Sequence, residues 1–363
     1  MAVMPTTVTP SVPLSALSGA LGMVCVGGSV AVSGLLGQAP LLTAQAWRYA
    51  AACLLLLLIA RLGGRRILVP QGAEWLWLLG VTVTGLFLFN IALIYGAEHA
   101  EPAVLGVAVA CVPLILAVIG PILEGRPPSP MLLVAALVVT GGAALVQGVG
   151  RSDGIGLVWA VVVLGCEAAF TLLAVPVLGR LGPWGVSVHT TWLAAILFGV
   201  AGLLGEGPAA VTRLDHRDLL ALAYLAVAVT AVAFVLWYYC VGQLGAGRAG
   251  LLTGIAPIAA AAGGVALGGP VPRPLVWVGI AVVVTGLALG LSTRAHPPRD
   301  PAEIPPHLGP VPATPATATV MTHTAPTTVM TTTTPATVMT TTPATVMAPP
   351  PRHCHGPTTP PLS

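Results

Sequence analysis

The sequence predicts an all-α integral membrane protein: ten transmembrane helices arranged as two inverted five-helix repeats, followed by a disordered C-terminal tail. Three observations lead there. The 363 residues are 56% hydrophobic and only 7% charged, with mean hydropathy +0.94, whereas a soluble domain carries about 25% charged residues. The apolar residues fall into ten runs of spanning length. A proline-centred apolar segment occurs twice, around Pro113 and around Pro257, 144 positions apart.

The ten runs lie at roughly 14–36, 41–61, 75–95, 102–123, 130–149, 154–178, 185–205, 218–241, 249–268 and 274–293. Hydrocarbon about 30 Å thick needs about 20 apolar residues per helix. Backbone groups in lipid must satisfy one another, so continuous apolar runs become helices; alternating ten-residue strands of a barrel are absent. The links are short and hold most of the charge: RLGGRR at 61–66, EGRPPS at 124–129, GRSDG at 150–154 and RLDHRD at 213–218.

The repeat is ordered. At the offset of 144, Tyr95 falls on Tyr239, Gly106 on Gly250, Pro113 on Pro257, Gly120 on Gly264, Gly125 on Gly269, Pro128 on Pro272 and Pro130 on Pro274. Two halves of five spans follow, at 1–149 and 150–293. Five is odd, so the second half enters the membrane upside down. Paired repeats with a proline in corresponding spans place a binding site between the halves.

Arginine counts orient the chain. With the N-terminus inside, the inner side collects Arg61, Arg65, Arg66, Arg126, Arg180, Arg248, Arg294 and Arg299, and the outer side Arg151, Arg213, Arg217 and Arg273. Both termini are expected in the cytoplasm, in a multi-pass protein of the plasma membrane. Residues 1–13 carry no Arg or Lys, so the basic start of a secretory signal is missing.

Residues 294–363 are rich in Thr and Pro and repeat Thr-Val-Met at 319–321, 328–330, 337–339 and 345–347. They read as a disordered tail. His353, Cys354 and His355 supply too few ligands for a metal site. The other five cysteines, Cys25, Cys53, Cys111, Cys166 and Cys240, sit singly in apolar runs and read as small core residues. No metal or other cofactor and no nucleic acid is expected. All fourteen basic residues are Arg. Without Lys there is no P-loop or Schiff-base chemistry, and no enzyme constellation is present.

Polar groups inside spans carry the remaining information, because a charge at mid-bilayer costs roughly 2.5–3.5 kcal/mol on insertion scales. Arg48, in the second span, reads either as a counter-ion for a carboxylate-bearing substrate or as a side chain snorkelling to the interface. Glu167, in LGCEAAF of the sixth span, suits proton coupling, or else rests as a neutral hydrogen-bonded acid. His189, at the start of the seventh span with Trp192 behind it, reads as a titrating group or a boundary residue. Asn90, Tyr95 and Tyr239 are lesser lining candidates, and the two tyrosines equally suit an interfacial belt. Pro113 and Pro257 remove a helix hydrogen bond each and kink the path or merely bend a packed helix.

These features together resemble the EamA family of the drug/metabolite transporter superfamily over about residues 14–293. The resemblance rests on Pro113 with Leu-Glu-Gly at 123–125, on GGAALV at 141–146, on Pro257 with VTGLALGL at 284–291, and on AWRYAAACLLLLL around Arg48. One departure stands out: the repeat counterpart of Glu124 is Gly268, so Glu124 is a gate or capping candidate without a duplicate. The resemblance implies a secondary transporter, monomer or homodimer, in the lipid bilayer. The leading expectation is a proton-coupled exporter of small polar metabolites such as amino acids. A multidrug efflux pump and a membrane scaffold or sensor working through the tail are the alternatives.

Overall fold

The computed structural model describes residues 12–33, 39–266, 268 and 271–292. The tail, with Cys354 and the Thr-Val-Met repeats, lies outside the described residues. Among the described residues, ten apolar helices follow one another: α1 Val12–Ser33, α2 Leu41–Leu62, α3 Glu74–His99, α4 Pro102–Leu123, α5 Pro130–Gln147, α6 Gly154–Leu172, α7 Val175–Gly205, α8 His216–Leu244, α9 Ala246–Ala266 and α10 Pro274–Ser292. Among the described residues, nine are long and apolar enough to cross a membrane, and α1 adds a shorter apolar run. Between α6 and the crossing part of α7 the helix kinks at Gly182 (φ 67°, ψ 173°), with Pro183 restarting it. Only glycine holds that backbone without strain.

The helices pack with a two-fold pattern. α5 lies on α10, α2 on α7 and α4 on α9, so these spans meet their own counterparts. The α1–α8 and α1–α9 interfaces are matched by α6–α3 and α6–α4.

The α5–α10 crossing shows the symmetry at atomic level. A Cβ built on Gly142 would lie 2.7 Å from Val283 N and 2.8 Å from Gly279 O. Gly286, its repeat counterpart, meets Val139 N at 2.9 Å and Ala135 O at 3.1 Å. Those partners are themselves related by the same offset. In lipid there is little hydrophobic drive between helices, so close backbone approach at small residues supplies the contact.

Internal irregularities repeat as well. α3 turns to i→i+5 hydrogen bonding over Val81–Leu88, and α8 does so over Leu225–Val232. The two segments coincide at the repeat offset. α4 is broken at Cys111 into Pro102–Ala110 and Val112–Leu123. α9 is interrupted by a 3-10 turn, Leu252–Gly254, between Ala246–Leu251 and Ile255–Ala266. Wide turns of this kind gather at functional sites.

The loops at one face are tied by charge. Arg151 Nε donates to Glu101 Oε1 at 2.8 Å, and His99 Nδ1 lies 2.8 Å from Asp153 Oδ2. Asp153 also accepts from Gly156 N at 2.7 Å, capping α6.

Two expected outcomes follow from these contacts. Gly142→Leu forces α5 and α10 apart and lowers the thermal midpoint of the purified protein by an amount equivalent to about 1–3 kcal/mol. Acid acts on the loops. The Gly156 amide first, then His99, hold the Asp153 carboxyl below its usual range, and Arg151 does so for Glu101. Groups with depressed folded values stabilise fully above their unfolded values of about 4 and lose that contribution as pH falls. Melting followed against pH should therefore decline less steeply below about pH 4 in the Glu101→Gln/Asp153→Asn double variant than in the parent.

Candidate functional site

The second span builds a polar chain in an apolar setting. Arg48, half-buried, donates from Nε to Thr230 Oγ1 at 2.8 Å and from Nη1 to Gln45 Oε1 at 3.3 Å. Its guanidinium carbon stands 5.1 Å from the centre of the Tyr49 ring, a cation–π distance. Gln45 Nε2 donates to Asn90 Oδ1 at 3.0 Å. Asn90 Nδ2 points at Leu86 O at 2.6 Å and at the Tyr49 hydroxyl at 3.3 Å. Behind them, Tyr49 stacks on Phe198 with centroids 5.5 Å apart, and Phe87 closes on Phe198 at 4.8 Å.

Local structure explains the convergence. Gln45, Arg48 and Tyr49 are i, i+3 and i+4 on one helix and so share a face. Leu86 and Thr230 lie in the two wide-turn segments of α3 and α8, at equivalent repeat positions. Thr230 Oγ1 donates to Leu225 O at 2.9 Å, five residues back, which leaves its lone pairs for Arg48. Every partner of Arg48 here is neutral. No carboxylate pairs with it among the described residues.

The repeat counterparts of Gln45 and Arg48 are His189 and Trp192, and these also bond across one turn. Trp192 Nε1 donates to His189 Nδ1 at 3.1 Å, so that nitrogen accepts and Nε2 donates to Leu68 O at 2.9 Å. Trp75 packs edge-on against both, at 5.9 Å and 6.0 Å. His189 lies one to two turns past the restart at Pro183 and is buried at 9% exposure, bonded to the link that follows α2. One half thus carries an amide–cation pair and the other an imidazole–indole pair at the same place in the fold.

Glu167 is half-buried and has no hydrogen bond or ion pair with a described residue. It is not paired with Arg48. The Tyr238 hydroxyl donates to Phe170 O at 3.3 Å. Tyr95, 50% exposed, stacks on Trp159 at 5.8 Å, away from the Arg48 chain. Tyr239 is half-buried beside the fully buried Tyr238. Pro113 and Pro257 are buried next to the breaks in α4 and α9. Glu124 accepts from Ala246 N at 2.9 Å and pairs with Arg126.

Sequence reading passed over Gln45, Tyr49, Thr230 and Trp75. Gln45 carried a usable signal, because the repeat offset sets it opposite His189. Thr230 carried none, since a threonine in a span is ordinary and only the fold brings it to Arg48. A cleft of about 550 Å³ lies elsewhere, lined by Val104, Val107, Ala144, Leu157, Val161 and Leu164 among others, all apolar. No group of metal-binding side chains occurs among the described residues.

Ten apolar helices with a polar chain inside the bundle define a multi-pass membrane protein. The family model of the EamA-like transporter family matches residues 13–147 and again 154–292. The chain belongs to that family, and with it to the drug/metabolite transporter superfamily. It is 27% identical over 299 residues to the uncharacterized transporter YetK of Bacillus subtilis (strain 168), covering 78% of this chain and 88% of that protein. A solved crystal structure, described only as a protein, shares its fold with TM-score 0.66 at 18% identity, over 76% of this chain and 95% of that one.

The Asn90 junction is testable by stability. Asn90→Leu strips the amide from Gln45 and from the Tyr49 hydroxyl together. It is expected to cost about 1–3 kcal/mol, read as a lower thermal midpoint, with Asn90→Gln recovering part of the loss.

Proposed function

We propose that the protein is a proton-coupled secondary transporter that exports small polar metabolites bearing a carboxylate, amino acids among them. The observation that carries this is Arg48: a guanidinium inside an apolar span whose hydrogen bonds all go to neutral partners. A charge at that depth is unfavourable until matched. A substrate carboxylate matches it, and the planar fork of Arg favours two-point contact. Glu167 takes the coupling role, because an unbonded carboxyl within a span exchanges a proton without breaking a structural contact. Asn90, Trp192, His189 and Tyr239 line the route as lesser contacts, with the α4 and α9 breaks near Pro113 and Pro257 along it. Export and residence in the plasma membrane rest on family analogy, and the placement of both termini in the cytoplasm rests on the arginine distribution.

Proteoliposomes loaded with a radiolabelled amino-acid mixture test the reading under an imposed proton gradient. Arg48→Leu is expected to cut flux at least about tenfold, the equivalent of one charge-assisted hydrogen bond. Glu167→Gln should keep downhill exchange and lose the response to the gradient. Gradient-independent flux in the parent, unchanged in Glu167→Gln, would remove the coupling role. Movement of cationic dyes in place of amino acids would instead favour a multidrug pump.

A further inference from the structure

The two-fold pattern does not hold at the α4–α9 crossing. α4 and α9 pack through Val112–Leu123 against Ala246–Leu251. Exchange of the halves turns that interface into Ile255–Ala266 against Pro102–Ala110. Those two segments share no comparable interface. The glycines agree. A Cβ on Gly120 would lie 2.8 Å from Gly247 N, whereas one on Gly264, its counterpart, meets nothing within 4 Å among the described residues. The α4–α9 pair is therefore closed at one end and parted at the other.

A carboxylate sits at the closed end. Glu124, just past α4, accepts from Ala246 N at the first turn of α9, where helix amides are unpaired and favour an anion. Gly245, at φ 79°, brings the chain against the carboxylate: a Cβ there would be 2.7 Å from Oε1. At the parted end the equivalent position is Gly268, which has no carboxylate to offer.

A second acid does the same for another counterpart pair, more firmly. Glu206, just past α7, accepts from Leu42 N, Thr43 N and Thr43 Oγ1 at 2.8, 2.8 and 2.7 Å. Its repeat counterpart is Leu62. Glu206 thus holds α7 to the start of α2 by three bonds, and Glu124 meets the start of α9 at the Ala246 amide.

We propose that Glu124 is a releasable latch on a moving α4–α9 crossing, and that Glu206 is the fixed staple against which the crossing moves. Breaking the Glu124–Ala246 bond lets the closed end part and the opposite end of the same two helices come together, which exchanges the roles of the two repeats. This rests on the transport reading for its purpose but not for its test.

Amide hydrogen exchange on the full-length protein in nanodiscs needs neither substrate nor gradient, so its failure is separable from failure of transport. Glu124→Ala should speed exchange across 247–251 by roughly tenfold, the size expected for one bond to a charged group. It should also slow exchange at the far ends, 102–106 and 263–266, since parting one end closes the other. Glu124→Gln keeps the side chain's size and should show the same reciprocal pattern, smaller. Glu206→Ala should speed exchange only around 42–45 and lower the thermal midpoint. The latch is overturned if Glu124→Ala loosens 247–251 without protecting the far ends, or if Glu206→Ala yields the same reciprocal pattern.

Discussion

Backbone-on-backbone contact between a span and its own counterpart is the constraint on which the rest of the structure depends. Two five-span units can share a bilayer only when one is inverted. Related spans then cross, and at the α5–α10 crossing equivalent residues fill the contact from both sides. Gly142 lies over Gly279 and Val283, and Gly286 over Ala135 and Val139. With lipid tails as apolar as leucine, close approach and interhelical hydrogen bonds are the forces left to hold such crossings.

Polar contacts then distribute unequally over this scaffold. Gln45–Arg48 and His189–Trp192 occupy the same position in the two halves, yet one pair is a cation with its amide and the other an imidazole with its indole. The wide turns in α3 and α8 admit this difference. They widen the helix where Leu86 and Thr230 present their oxygen atoms to Asn90 and Arg48. Symmetry in the backbone leaves the side chains free to differ, which a path with two unlike ends requires.

Much of the architecture was legible in the chain because lipid allows few solutions. Runs of apolar residues become helices, and the proline segments set the offset that the packing obeys. The break at Gly182 and Pro183, which extends α7 back to Val175, was not legible in hydropathy. The site was legible only in part. Arg48, Asn90 and Glu167 stand out as polar groups in apolar spans. That Arg48 meets Thr230, 182 positions away, has no trace in local pattern.

By itself the sequence determined the helical class, the ten spans and the register of the duplication, since each follows from the energetic demand that a bilayer places on backbone and charge. The tertiary structure alone decided which counterparts touch, that Arg48 and Glu167 stay apart, and that α4 and α9 close at one end only. These depend on side chains from distant spans meeting across interfaces, and the physical reason is that hydropathy records depth in the membrane but not direction around a helix.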